Sequence, residues 1–121
     1  MKYTLRIKKN REFKYILKRG KFYRGNYINV YYISNKVDSN SKFYGNMFGV
    51  CVSKKNGNAV NRNKLKRWAR EAYKLKEENI KKNIKLVVLY KKSTQVRDVN
   101  FNLICEDFND ALEGLNIYEI N

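Results

Sequence analysis

The feature that most limits how this chain can fold is the segment 54–70. It holds seven Lys/Arg and no Asp/Glu, and it is set between apolar runs at 44–53 and 85–90. Such a peptide persists as a helix only if its few apolar residues share one face and another element covers them. At 100° per residue, Leu65, Trp68, Ala69, Ala72 and Leu75 fall on one side, with Asn63, Lys66, Arg67, Arg70 and Lys74 on the other. Asn58 supplies a cap, so the pattern predicts a helix from there to about Lys76. The run 44–53 alternates Phe48, Val50 and Val52 against Met47, Gly49 and Cys51, and KLVVLY at 85–90 has the length and apolar character of an interior strand. Strand, helix, strand is a βαβ unit.

Upstream, Asn10 reads as the cap of a helix with Phe13, Ile16 and Leu17 at i, i+3 and i+4, and Gly20 as its left-handed stop. Period-two alternation over 27–33 sets Ile28, Val30 and Tyr32 against Tyr27, Asn29 and Tyr31, as in a half-buried strand. A further strand at 21–24 is left open. The polar stretch 34–42, with Asp38-Ser39-Asn40, reads as a hairpin loop. Val99, Phe101, Ile104, Cys105, Phe108 and Leu112 trace a final helical stripe that closes near Gly114. The expectation is a single α+β domain over residues 1–121, with three helices and three or four strands in a central mixed sheet.

Charge selects the partner. Lys plus Arg number 27 against 11 Asp plus Glu, and residues 1–70 carry 19 of the former and 2 of the latter. A dense polyanion is therefore expected on the first 70 residues. Histidine is absent, which removes Ser/His and Cys/His nucleophiles, the imidazole shuttle and mixed Cys/His zinc sites. Cys51 and Cys105 lie in apolar stretches without metal-ligand spacing, which fits buried thiols in a reducing cytosol. There is neither a bilayer-spanning apolar run nor the apolar core of a signal peptide. The sequence points to a cytoplasmic domain that binds an acidic polymer or surface, with no catalytic or metal-ligating protein residues.

A charged helical face is often merely solvated. Here no acid lies between Asp38 and Glu71 to relieve repulsion along the helix, and its first turn spends poor helix formers such as Asn61 and Asn63. Planar guanidinium donors rising at about 1.5 Å per residue can follow successive phosphates. Lys54 and Lys55, with Gly57 and Asn58, extend an anion site around the helix N-terminus. An anionic lipid surface is the alternative polyanion, but Ala69 and Ala72 suit close packing better than insertion.

The run KKNGNAVNRNKLKRWAREAY closely resembles the signature of the bacterial ribonuclease P protein subunit. That signature is Lys-Lys-x-Gly-(Asn/Lys)-Ala-Val-x-Arg-Asn-(Arg/Lys)-(Ile/Leu)-Lys-Arg, followed by Arg and an aromatic. It falls here on Lys54, Lys55, Gly57, Asn58, Ala59, Val60, Arg62, Asn63, Lys64, Leu65, Lys66, Arg67, Arg70 and Tyr73. The N-terminal IKKNREFKYILKRG, the length and the element order extend the resemblance over nearly the whole chain. It implies a ribosomal S5 domain 2-like fold of order αβββαβα with a left-handed βαβ crossover, against the general right-handed rule.

The resemblance also implies a monomeric protein in a 1:1 complex with a catalytic RNA that cuts the 5′ leader from precursor tRNA. The RNA would hold the Mg²⁺ ions and perform the hydrolysis. Contacts to the RNA subunit then fall to Lys54, Lys55, Arg62, Asn63, Lys64, Lys66, Arg67 and Arg70. A leader-binding cleft between the first helix and the sheet falls to Phe13, Leu17 and Tyr31, with Lys8, Lys9 and Arg11 nearby. Phe13 and Leu17 at helical spacing fit a core role as well. Leu17 stands where the family commonly has Phe, which is one stacking surface fewer. The carboxamides of Asn56, Asn61 and Asn63 are candidates to assist Mg²⁺ between protein and RNA phosphates. Two further readings stay open: a generic RNA-binding protein, such as a ribosomal protein or RNA chaperone, and a self-sufficient nuclease.

Overall fold

The apolar run KLVVLY forms the middle of a sheet. The structure is a computed structural model that describes residues 1, 3–35 and 45–119. The chain runs β1 (Thr4–Arg6), α1 (Asn10–Arg19), β2 (Lys21–Arg24), β3 (Ile28–Ser34), β4 (Asn46–Cys51), α2 (Ala59–Lys76), β5 (Ile84–Tyr90) and α3 (Phe101–Gly114). The mixed sheet has the order β1-β4-β5-β3-β2. β5 is parallel to β4, with Met47 opposite Lys85 and Cys51 opposite Leu89, and antiparallel to β3, with Ile28 opposite Tyr90. The strand–helix–strand pattern in the sequence is thus a βαβ unit of adjacent parallel strands, as its composition required.

Local pattern failed where pairing is remote. A strand precedes the expected αβββαβα order: Thr4–Arg6 pairs in parallel with Asn46–Phe48. Three residues are too few to show a period, so β1 owes its state to β4. The open strand at 21–24 is real and pairs antiparallel with β3. The hairpin reading of 34–42 does not hold, because β5 is inserted between β3 and β4. Polar residues signal that the chain turns, not which strand it returns to; residues 36–44 themselves lie outside the described residues.

At α1, Lys9 rather than Asn10 occupies the cap position, with no side-chain cap hydrogen bond. Gly20 is extended (φ −73°), not left-handed. Its requirement is steric: a Cβ there would lie 2.6 Å from the carbonyl oxygen of Ile16 and 2.9 Å from that of Tyr32.

One face of the sheet carries Ile28, Val30, Phe48, Leu86, Val88 and Tyr90, covered by α2 through Leu65, Ala69, Ala72 and Tyr73 and by α3 through Ile104, Phe108 and Leu112. All are at most 2% exposed, and each large side chain among them contributes about 1.5–3 kcal/mol by leaving water. Leu75, expected on the packing face of α2, is 68% exposed although Tyr73 and Glu77 on either side are buried, because it lies at the margin of that face, about 80° around the helix from Leu65. The α3 carboxylate Asp107 accepts from the N–H groups of Asn26 (3.0 Å), Tyr27 (2.6 Å) and Ile28 (3.0 Å), clamping the β2–β3 turn onto the helix.

Among the described residues the other face is covered by α1, through Ile16 against Ile7 and Val87. Ten helical residues are about 15 Å long and 10 Å wide, whereas five strands span roughly 19 Å, so α1 covers only part of this face.

Candidate nucleic-acid interface

The segment before α2 is a rigid turn. Lys54–Asn56 form a single 3₁₀ turn in which the Ser53 hydroxyl accepts from the Lys55 N–H. The buried Asn56 amide oxygen accepts from the Ser53 N–H at 2.9 Å, while its NH₂ donates to the carbonyls of Lys91 (2.8 Å) and Thr94 (2.9 Å). Gln95 donates to the Lys55 carbonyl at 2.6 Å. These bonds leave Lys54 and Lys55 exposed on a fixed backbone. They also correct one expectation. Asn56 is 0% exposed with its amide used, so it has nothing to offer an ion; Asn61 and Asn63 remain. The backbone donors around the helix N-terminus are used only in part: the N–H groups of Lys55, Asn56 and Gly57 close the turn and Asn58 caps the Asn61 N–H at 2.9 Å, while those of Ala59 and Val60, which open α2, have no hydrogen-bond partner among the described residues.

Along α2 the cations divide into two sets. Asn63, Lys64 and Arg67 are exposed; Arg62, Lys66 and Arg70 are half-buried. Lys64 lies 5.2 Å from the Trp68 ring centroid, and Trp68 packs against the main core, consistent with its reading as an anchor. Tyr73, the aromatic of the motif, is fully buried against Phe48 with ring centroids 4.3 Å apart. Its hydroxyl shares a 2.8 Å hydrogen bond with that of Thr4, which fixes α2 to β1. Among the described residues, the ion pairs are Lys74–Glu71 and Lys85–Glu12. None involves Arg62, Arg67 or Arg70. The Nε of Arg62 is buried with no hydrogen-bond partner among the described residues, and burial, then the nearby Arg6 charge, lower the Arg70 pKa from its ordinary value. Crowded, unpaired guanidiniums of this kind favour an incoming anion.

Lys66 and Arg70 reach a groove of about 480 Å³ lined by Asn10, Phe13, Lys14 and Leu17 of α1 and by Val50, Cys51 and Val52. The groove exists because β1 is short: its pairing with β4 ends at Phe48, while β4 continues beside β5 to Cys51. Gly49 forms part of the floor, where the Phe13 ring rests directly on its backbone. Burial pushes the Cys51 thiol pKa up, opposed by Lys66, so the sulfur is a neutral, weakly polar element of the wall at neutral pH.

The candidate cleft residues do not all meet here. Phe13 and Leu17 line the groove. Tyr31 shares their sheet face and satellite core but stacks on Phe22. Lys8, Lys9 and Arg11 are exposed and absent from the groove lining; Arg11 borders a separate depression of about 230 Å³ with Glu12, Tyr15 and Lys85. The cation that does reach the groove from this side is Lys14, on α1, while Arg6 lies outside the lining but near enough for its charge to act on Arg70. The signal for the first was available: Asn10, Phe13, Lys14 and Leu17 stand at i, i+3, i+4 and i+7, a mixed stripe passed over in favour of its apolar members. Arg6 had no such signal.

The Phe13–Gly49 contact makes a direct prediction. A Cβ at Gly49 would lie 2.6 Å from the Phe13 ring carbon Cζ, so Gly49→Ala should overpack this site and cost about 1–3 kcal/mol, read by urea unfolding. Adding Phe13→Leu should recover part of the loss.

Comparison with known proteins identifies relatives over nearly the whole chain. The family model for Ribonuclease P matches residues 1–116. The ribonuclease P protein component of Clostridium botulinum (strain Langeland) is 38% identical over 94 residues, covering 77% of this chain and 79% of that one. That of Clostridium novyi is 36% identical over 118 residues, 98% of this chain and 99% of its own. Among solved structures, the Staphylococcus aureus RNase P protein superposes with a TM-score of 0.79 at 31% identity, covering 94% of this chain and 97% of that one. The Thermotoga maritima protein superposes with a TM-score of 0.70 at 30% identity, covering 87% and 92%.

Proposed function

The chain belongs to the ribonuclease P protein family and is a component of an endoribonuclease that works with an RNA partner, and from that premise we propose how it divides its surface between two RNAs. The exposed side of α2, with Lys54, Lys55, Arg62, Asn63, Lys64 and Arg67, binds the catalytic RNA in a 1:1 complex. The groove between α1 and α2 takes the single-stranded 5′ leader of precursor tRNA. Lys66 and Arg70 stand where the two meet and Lys14 faces them from α1, while Phe13 and Leu17 give the leader bases an apolar wall. Lys8, Lys9 and Arg11 supply diffuse positive potential around the start of α1 rather than direct groove contacts. Leaders vary in sequence, and this lining suits them, since stacking and backbone charge need no base reading.

Hydrolysis of the phosphodiester is assigned to the RNA partner and to Mg²⁺ that it holds mainly through phosphates. The protein's part is to orient the leader and lower the repulsion between two polyanions, which reduces the Mg²⁺ needed for productive binding. Asn61 and Asn63 are placed to assist at that boundary. Such a complex operates in the cytoplasm, where precursor tRNA is present.

The observation that carries this reading is the junction of unpaired guanidiniums and an aromatic-walled groove on one side of the molecule. Reconstitution with the catalytic RNA tests it. At Mg²⁺ too low for the RNA alone, the protein should restore leader removal, with affinity falling steeply as salt rises. Binding without stimulation would instead identify a general RNA-binding protein.

A further inference from the structure

The sheet face beside α1 continues past the groove. Register places Phe22 opposite Tyr31, Tyr31 opposite Val87 and Val87 opposite Gly49, so these four positions form one row that ends beneath Phe13. At about 4.8 Å per strand the row is roughly 14 Å long, room for more than one nucleotide. A second row on the same face runs through Arg24, Asn29, Leu89 and Cys51, and Cys51 lines the groove.

Val87 is fully buried, but the β2 end of these rows is bare. Phe22 is 55% exposed, with its ring stacked on Tyr31 at a centroid distance of 5.6 Å and 30° between planes. Arg24 is exposed on the same face of β2; beside it the Asn29 side chain is half-buried, its amide oxygen covered and without a hydrogen-bond partner among the described residues. β2 is an edge strand, where an uncovered large ring invites unwanted association unless a partner seats on it. The adjoining guanidinium selects an anionic partner with flat apolar groups, which describes a nucleic-acid strand.

We infer that Phe22, Tyr31 and Arg24 form a second stacking station for single-stranded RNA, which holds a leader base farther from the cleavage site than those in the α1–α2 groove. The ring pair stacks the base, Arg24 meets an adjacent phosphate, and the half-buried row Asn29, Leu89 and Cys51 leads from this station to the groove. This rests on the proposal that the groove holds the leader. Because any base has a stackable face, the station should add affinity with leader length and little with leader sequence.

The test uses the reconstituted holoenzyme and precursor tRNAs with leaders of graded length. Dissociation constants are compared for the native chain, Phe22→Ser and Phe22→Tyr. Native affinity should rise once the leader outruns the groove. Phe22→Ser should lose that increment, about fivefold or more, while matching the native chain on the shortest leader, and Phe22→Tyr should keep it. The inference is overturned if Phe22→Ser follows the native chain at every length, or weakens all lengths equally. Lys14→Glu, placed in the groove, separates the premise. Native-like binding of every leader by that variant removes the groove reading itself. Uniform weakening by Lys14→Glu beside an indifferent Phe22→Ser leaves the groove and removes only the second station.

Discussion

Asp107→Ala should destabilise the fold by about 3 kcal/mol or more, a large part of the roughly 5–15 kcal/mol available to a domain of this kind. The carboxylate is 3% exposed and satisfies three successive backbone N–H groups, those of Asn26, Tyr27 and Ile28. Alanine leaves the buried Ile28 N–H without a partner, at a cost of about 1–3 kcal/mol, and forfeits two more charge-assisted bonds to the part-buried N–H groups of Asn26 and Tyr27. The clamp joins α3 to the turn between β2 and β3, so its loss also frees the strand that carries Phe22 and Arg24. Urea unfolding gives the measurement. Asp107→Asn should fall between the native chain and alanine, because its amide retains one acceptor oxygen but turns an NH₂ toward the same donors. A native-like midpoint for Asp107→Ala would mean that water replaces the clamp without cost.

The second large effect concerns binding. Replacing Arg62, Arg67 and Arg70 together with alanine should weaken association with the catalytic RNA by about 100-fold or more. It should also lower the slope of log affinity against log salt by roughly 2–3, since each lost phosphate contact removes about 0.7–0.9. The fold should survive. No ion pair joins these arginines to an acid among the described residues, alanine is the better helix former, and removal of Arg70 relieves its repulsion with Arg6. Replacement of the exposed Lys81 and Lys82, beyond the C-terminal end of α2, controls for net charge when the loss is compared per charge removed. Equal loss per charge in both variants would point to general electrostatics; loss confined to the arginines would place the RNA on α2. Native-like binding by the triple variant would remove α2 as the RNA-binding surface.

The elements legible in the sequence are those whose cause is local. α2 could be placed because Leu65, Ala69 and Ala72 recur at helical spacing behind the Asn58 cap, and all three are buried. The central position of β5 followed from an apolar run too continuous for a half-exposed strand. The same arithmetic put Leu75 on the covered side, and there it failed: about 80° from Leu65 is the margin of the face, and only the packed neighbours decide on which side of the boundary a marginal residue falls. It likewise passed over Lys14, because a lysine between Phe13 and Leu17 reads as an interruption until the groove shows that all three share a wall.

What the sequence determined by itself was the type of most elements, the side of α2 that packs and the sign of the charge on the other, because periodicity and composition act within a few residues. The tertiary structure alone decided which strands are neighbours, that Thr4–Arg6 is a strand at all, and that α1 and α2 meet across an unpaired stretch of β4. These depend on contacts between residues remote along the chain, such as Thr4 with Tyr73 and Ile28 with Asp107. Such contacts form only when whole faces find their covers, and no local repeat records that choice.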